Sequence, residues 1–187
     1  MAITRRRALG AAAVLAAASQ SQAQESKTPA PDLGNQLRRL GHRNWIAIVD
    51  SAYPQQVKPG IDLRLVEGDQ LDVVVEVLKA LDMAKNVRPV IYLDAELPSI
   101  SEADAPGISE YRTGLKKVMG KRTAISLPHE KIIENLDKAA ETFKVLMLKT
   151  NLTLPYTSVF IQLECGYWSE AAEKRLREKI KSQESNP

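Results

Sequence analysis

Two residues with side chains suited to proton transfer stand at the two ends of one apolar run. His42 precedes the run and Asp50 ends it, in the stretch LGHRNWIAIVDSAYP. An imidazole titrates near neutral pH and a carboxylate accepts hydrogen bonds and protons, so the pair has the chemistry of an acid–base site. The same residue types are also common in surface loops and as turn caps. The pattern alone leaves both interpretations open.

Three further side chains are candidates for the same chemistry. Asp94 follows a second apolar run, VIYL, and ligands in layered α/β sheets bind at the carboxyl ends of the strands. His129 follows Pro128 at a predicted helix start, where the helix dipole favours the neutral ring that accepts a proton. Tyr156 precedes the last apolar run, and its hydroxyl can donate or accept. Each residue also has an ordinary structural interpretation as a turn or helix-start residue.

No sequence pattern for a metal or a cofactor accompanies these candidates. Cys165 is the single cysteine, which excludes an intrachain disulfide, and the two histidines are far apart with no partners at ligand spacing. There is no glycine-rich phosphate loop. The sequence therefore predicts chemistry that uses neither a metal nor a cofactor.

Alternating apolar patterns predict the elements that must position these residues. Predicted strands are WIAIVD (45–50), IDLRLV (61–66), RPVIYLD (88–94), TAISL (123–127), KVLMLKT (144–150) and SVFIQLEC (158–165). Predicted helices cover 33–40, 69–82, 108–119, 129–143 and 169–183. The continuous apolar run WIAIVD is typical of a strand buried on both faces. This order predicts an α/β domain of three layers, α/β/α, with a mixed or mostly parallel sheet.

The N-terminal segment has the pattern of an export signal. Residues 1–23 contain three arginines, an alanine-rich stretch and a small-residue cleavage pattern, and they resemble a twin-arginine leader. An ordinary secretory leader is the alternative, and either predicts a bacterial periplasmic or secreted protein with a linker at 24–31. The leader arginines account for the excess of 26 basic over 23 acidic residues. The neutral remainder argues against nucleic acid and membrane as partners.

Several of these segments resemble the ribose pyranase and fucose mutarotase family. LGHRNWIAIVDSAYP is similar to the family's opening, Gly-His-x-Asp, an apolar strand and Asp-Ala-x-x-Pro, with the family's spacing from His42 to Asp50. LPHEKIIENLDKA resembles the segment in which ribose pyranases carry a second histidine, here His129. KTNLTLPYTSVFIQ is similar to the late Pro-Tyr-Ala-Asn block. We therefore expect an RbsD/FucU-like domain at 32–166 and a C-terminal helical extension at 167–187.

The resemblance implies an activity and a set of roles. The family opens and recloses the hemiacetal ring of a monosaccharide without a cofactor, which exchanges anomers or pyranose and furanose forms. Carried over to this sequence, His42 is the proton donor and Asp50 the carboxylate of the catalytic pair. His129, Tyr156 and Ser158 would bind and polarise the sugar.

The same resemblance predicts an oligomer. Six strand residues at ~3.3 Å each place His42 and Asp50 ~20 Å apart, too far for both to reach one monosaccharide from one straight strand. Because the family forms ring-like oligomers, we expect a homo-oligomeric ring, such as a decamer. In it, His42 of one chain would face Asp50 and Tyr156 of another.

Three polar positions depart from the family's pattern and keep other interpretations open. Asn44 stands where the family has an aspartate, Leu152 lies where it has an acid, and Ser158 replaces an asparagine. These changes are compatible with a second hypothesis, a non-catalytic monosaccharide-binding or scaffolding protein of the same fold. The third hypothesis is that the similarity extends to the fold alone.

Overall fold

A computed structural model describes residues 33–184, which form one six-stranded sheet covered by helices. The predicted leader and linker lie outside the described residues. The helices are α1 (Leu33–Arg39), α2 (Gln70–Met83), α3 (Ile108–Met119), α4 (His129–Ala140) and α5 (Glu170–Glu184). The strands are β1 (Trp45–Val49), β2 (Ile61–Leu65), β3 (Val87–Asp94), β4 (Ala124–Leu127), β5 (Val145–Lys149) and β6 (Val159–Cys165). The α/β prediction is confirmed, and α4 alone ends three residues before its predicted end.

The sheet is mixed, with strand order β2-β5-β1-β6-β3-β4. The pairs β1–β5, β2–β5 and β3–β4 are parallel, whereas β6 runs antiparallel to both of its neighbours, β1 and β3. The amino end of β6 therefore lies at the same edge of the sheet as the carboxyl ends of β1 and β3. This edge collects residues from three strands that are distant in sequence.

The alternation of side chains along β1 explains the three layers. Ile46 and Ile48 face one side and pack with apolar residues of α1, α2 and α3. Trp45, Ala47 and Val49 face the other side and pack with α4. All five residues are buried, as predicted for a strand covered on both faces.

Helix ends follow the local sequence. The Asp69 side chain caps α2 by accepting a hydrogen bond from the backbone N–H of Leu71, as the pattern predicts. α5 is amphipathic only weakly, and most of its residues are exposed. Within residues 33–184, no helix combines the length and the apolar character that crossing a bilayer requires.

Candidate active site

The candidate site lies at the sheet edge where β1 and β3 end and β6 begins. Val159, the first residue of β6, pairs with Ile48 on one side and Leu93 on the other. Asp94 follows Leu93 directly and Asp50 lies two residues beyond Ile48, so the two acids flank the start of β6. Both carboxylates are buried, with 8% and 1% of the residue exposed.

An imidazole–carboxylate pair joins β3 to α4. The Nδ1 atom of His129 lies 2.9 Å from Oδ1 of Asp94, a hydrogen-bonding distance. The side chain of Asp94 is fully buried, whereas that of His129 is 20% exposed. The pair is brought together by β4, because Leu127 is the register partner of Asp94 and α4 begins two residues later.

The start of α4 is held by a second acid of the same loop. The carboxylate of Glu96 accepts hydrogen bonds from the backbone N–H of His129, at 3.1 and 3.2 Å. A carboxylate at this position satisfies an N–H that has no partner within the helix and complements the helix dipole. The backbone and the ring of His129 are thus both anchored to the segment that follows β3.

Two tyrosines contact the imidazole edge-on. The ring centre of Tyr156 lies 5.3 Å from that of His129, with the planes at 87°, and that of Tyr53 lies 6.1 Å away at 80°. Tyr53 is buried, and Tyr156 is 39% exposed. Tyr156 also has a φ of 54°, in the left-handed region that residues other than glycine rarely adopt. Such strain is concentrated at functional sites.

Asp50 is fixed by two hydrogen bonds from the chain. Its Oδ1 accepts from the backbone N–H of Ala52 at 2.9 Å, and its Oδ2 accepts from the hydroxyl of Ser158 at 3.3 Å. Ser158 is completely buried. The serine hydroxyl is therefore directed at the Asp50 carboxylate and has no exposed surface of its own.

A buried polar network supports the loop before β6. The Gln70 side chain donates to the carbonyl of Thr157 at 2.7 Å and to the Tyr111 hydroxyl at 3.1 Å. It also accepts from the hydroxyl of Thr150 at 2.8 Å. Tyr111 donates to the same Thr157 carbonyl at 2.6 Å. These bonds fix the backbone on which Tyr156 sits.

Burial and neighbouring acids alter the ionisation of the site. Burial raises the pKa of Asp94 to about 6, the charges of Glu96 and Asp50 add to the increase, and the His129 hydrogen bond opposes it. Burial also raises the pKa of Tyr53, with the carboxylates around it, Asp94 foremost, adding to the effect. At neutral pH Tyr53 is therefore a protonated phenol and not a base.

His42 lies at the opposite edge of the sheet, before β1. It is exposed and lines a groove of about 1070 Å³ together with Trp168 and Glu173 of the C-terminal segment. Asn44 braces the turn, since its amide donates to the Gly41 carbonyl at 2.9 Å and its oxygen accepts from the N–H of Lys144 at 2.7 Å. Both polar groups of the Asn44 side chain are thus hydrogen-bonded to the backbone.

The structure brings together four of the five predicted site residues. Asp50, His129, Tyr156 and Ser158 share one edge, and His42 is separated from them by the length of β1. The sequence left the role of Asp94 ambiguous and gave no role to Tyr53 or Glu96. The position of Tyr53, within the DSAYP segment that follows the first strand, was the one available signal for it.

Metal ligation has no support in the described part of the chain. Among residues 33–184, no three His, Cys, Asp or Glu side chains are grouped as a metal site requires. The acid–base cluster itself contains one imidazole and several carboxylates, so hydrogen bonding and proton transfer are the chemistry that its side chains offer.

No protein-family model matches the chain, and no curated protein matches it in sequence. Solved structures match it in fold. FucU from Bifidobacterium longum aligns with a TM-score of 0.51 and 16% identity, over 76% of this chain and 99% of its own. The fucose mutarotase from Streptococcus pneumoniae, in complex with L-fucose, aligns with a TM-score of 0.50 and 21% identity, over 76% of this chain and 96% of its own. Bacillus subtilis RbsD complexed with D-ribose aligns with a TM-score of 0.49 and 19% identity, over 75% of this chain and 95% of its own.

The first two of these alignments, with TM-scores of 0.51 and 0.50, define the class of the fold. It is a mixed α/β sheet with helices on both faces and a polar edge formed by three strand ends. More particularly, the fold is RbsD/FucU-like, as the sequence resemblance implies. At these identities the likeness establishes the fold, and the activity has to be argued from the site.

Proposed function

We propose that this protein is a sugar mutarotase or pyranase-like isomerase that exchanges the anomers or ring forms of a monosaccharide. The observation that carries the proposal is the meeting of Asp50, His129 and Tyr156 at one sheet edge, with Tyr156 5.3 Å from the imidazole. The fold supports it, because the Streptococcus pneumoniae protein with this fold is a fucose mutarotase in complex with L-fucose.

The reaction consists of two proton transfers and one bond cleavage. A base takes the proton of the anomeric hydroxyl, the bond from the anomeric carbon to the ring oxygen breaks as the carbonyl forms, and an acid protonates the ring oxygen. Reclosure on the other face of the carbonyl, or through another hydroxyl, gives the other anomer or ring form. Each positioned acid or base contributes ~10²–10⁴-fold. His129 is suited to one transfer, and Asp50 to holding a sugar hydroxyl.

The second acid–base group in this proposal is His42 of a neighbouring copy. Within one chain His42 lies at the far end of β1, so it reaches the Asp50 edge only if another subunit supplies it. An exposed imidazole in a turn is accessible to such a neighbour. We therefore propose a ring-shaped homo-oligomer in which His42 of one subunit faces Asp50 and Tyr156 of the next.

A second candidate function is sugar binding without catalysis. Two observations favour it: the Asn44 side chain is committed to the backbone of its turn, and the Ser158 hydroxyl is buried against Asp50. Neither residue then assists the chemistry in the way that the family's aspartate and asparagine at these positions would. Such a protein would bind a monosaccharide at the same edge and leave its ring forms unchanged.

We also propose that the protein works outside the cytoplasm, on the basis of the leader pattern at residues 1–23. Expression of the full chain in a bacterium, followed by N-terminal sequencing of the periplasmic and medium fractions, tests this. A mature protein that starts close to residue 24 is expected. A full-length protein that stays in the cytoplasm would contradict the proposal.

Saturation-transfer NMR separates the two candidate functions. D-ribose, L-fucose and related monosaccharides are each mixed with the full chain, and magnetisation transfer between ring forms is measured with and without protein. Faster transfer in the presence of protein supports the isomerase. Saturation that passes from protein to sugar without faster exchange supports the binding protein, and neither effect for any sugar argues against both.

A further inference from the structure

We propose that Asp94 is a positioning residue that fixes His129 as the tautomer with hydrogen on Nδ1 and leaves Nε2 as the proton acceptor that meets the sugar. The inference deepens the proposed function and rests on it. It gives a role to a buried carboxylate for which the sequence offered two interpretations.

The contact between the two side chains sets the tautomer. An ionised carboxylate has acceptors and no donor, so a 2.9 Å contact with Nδ1 requires the hydrogen to be on that nitrogen. The neutral ring then carries its lone pair on Nε2. Because the His129 side chain is 20% exposed while Asp94 is fully buried, the ring separates the carboxylate from solvent.

The surroundings of Asp94 make this contact indispensable to the carboxylate. Its other oxygen, Oδ2, is buried and has no hydrogen-bond partner within residues 33–184. The charged groups that act on Asp94 besides the ring are the acids Glu96 and Asp50, which repel it. Within residues 33–184, the imidazole N–H is thus the hydrogen-bond donor to the Asp94 side chain. Burial accordingly raises the pKa of Asp94 to about 6, which leaves it ionised at neutral pH.

Neighbouring groups oppose a flip of the imidazole ring about χ2. Glu96 holds the backbone N–H of His129, and the rings of Tyr53 and Tyr156 stand at 80° and 87° to the imidazole. A ring flip would exchange Nδ1 with Cδ2 and Nε2 with Cε1, and it would leave Asp94 facing a carbon atom in place of its hydrogen-bond donor. The pair therefore presents one nitrogen, Nε2, to a ligand in a fixed direction.

The role in the reaction follows from this geometry. Nε2 of His129 takes the proton of the anomeric hydroxyl, an O–H bond breaks and an N–H bond forms, and the ring becomes an imidazolium. Asp94 stabilises this cation through the Nδ1 hydrogen bond. On reclosure, Nε2 returns the proton to the anomeric oxygen, so the pair ends the cycle as it began.

The tautomer can be observed without any sugar. The full chain with ¹⁵N-labelled histidine is studied by long-range ¹H–¹⁵N correlation at pH 7.5, and the variant His42→Gln leaves His129 as the single histidine. We expect an Nδ1–H, Nε2-acceptor pattern. In Asp94→Asn this pattern should give way to a mixture, because an amide can donate as well as accept. The matched control Glu96→Gln removes a nearby charge but not the ring contact, and it should keep the pattern.

The same variants are then tested for sugar exchange. We expect Asp94→Asn to slow exchange by ~10²-fold, mainly in kcat, with partial recovery in Asp94→Glu, which restores the charge. An Nε2–H pattern in the parent protein, or an unchanged pattern in Asp94→Asn, overturns this inference alone, whether or not exchange occurs. If Asp94→Asn fails to fold, Asp94→Glu and the parent spectrum still decide the tautomer. A parent protein with the expected tautomer but no exchange with any sugar overturns the proposed function and with it the catalytic role of Asp94.

Discussion

The imidazole of His129 and the carboxylate of Asp94 are 2.9 Å apart, although they belong to different elements, the first turn of α4 and the last residue of β3. β4 makes this contact possible, because its parallel pairing with β3 puts Leu127 beside Asp94 just before the helix starts. The site is therefore a product of strand register, and changes that loosen this edge should affect both stability and chemistry.

The raised pKa of Asp94 predicts a specific dependence of stability on pH. The native state holds this proton with a pKa of about 6, against an ordinary value of 3.8 for an aspartate side chain. Between these values the native state binds more protons than the unfolded state, so the free energy of unfolding falls as the pH rises. The total loss from this group is about 3 kcal/mol and is complete above pH 6. Acidification through the same window restores it.

Asp94→Asn isolates this contribution, since an amide does not titrate. Urea titrations at pH 4 and pH 7.5 give the free energies of unfolding of the parent and the variant. We expect the value for the variant minus the value for the parent to be larger at pH 7.5 than at pH 4. If this difference is the same at the two pH values, or is smaller at pH 7.5, the ionisation assigned to Asp94 is contradicted.

The buried network beneath Tyr156 predicts a large cost for Gln70→Leu. This change removes the hydrogen bonds that Gln70 makes with the Thr150 hydroxyl and the Thr157 carbonyl, although Tyr111 still donates to that carbonyl, and we expect it to destabilise the fold by about 1–3 kcal/mol. Gln55→Leu makes the same chemical change at an exposed site and should alter the free energy of unfolding by less than about 0.5 kcal/mol. Equal effects from the two variants in urea titrations would show that the network does not support the site.

The approach of β2 to the end of α4 predicts a steric cost at Gly60. A Cβ added there would lie 2.1 Å from the Phe143 carbonyl oxygen and 2.4 Å from that of Ala140, which are both backbone atoms. Gly60→Ala should therefore destabilise the protein by about 3 kcal/mol. Gly34→Ala, at a helical position with open space, should raise stability by about 0.5–1 kcal/mol. Thermal unfolding that ranks the two variants in the opposite order would contradict the packing.

An intersubunit site predicts complementation between two inactive variants. His42→Gln and His129→Gln should each lose sugar exchange alone. When they are unfolded, mixed in equal amounts and refolded together, about a quarter of the sites would combine an intact His42 with an intact His129, and exchange should return in that proportion. Either parent variant refolded alone is the control. A mixture as inactive as its components would argue that both histidines serve the same site from one chain, or that one of them serves none.

The sequence predicted the elements well because each has a strong local signal. β1 was recognisable from five consecutive apolar residues, and α2 from its helical period and the cap at Asp69. The mixed character of the sheet was left open, since it depends on the direction of β6, and strand direction is a tertiary property. The short strand β4 was found because Pro128 ends it, but its position beside β3 has no local signature.

The site was predictable in part, for a related reason. Asp50, His129 and Tyr156 were found through motifs, but their meeting depends on the strand order at one edge. Asp94 carried the appropriate chemistry, and its partner, His129, is 35 residues away, so no spacing rule linked them. The separation of His42 from the other four residues was expected from the length of the strand. Whether a second subunit closes that gap stays a prediction.

The most direct test of the central claim is the rate of anomer exchange catalysed by His129→Gln relative to the parent protein, measured by saturation-transfer NMR with the best monosaccharide. The control is Lys131→Gln, an exposed change two positions further along α4. We expect a fall of ~10²-fold or more for His129→Gln and an unchanged rate for Lys131→Gln. A His129→Gln protein that exchanges anomers as fast as the parent would contradict the central claim.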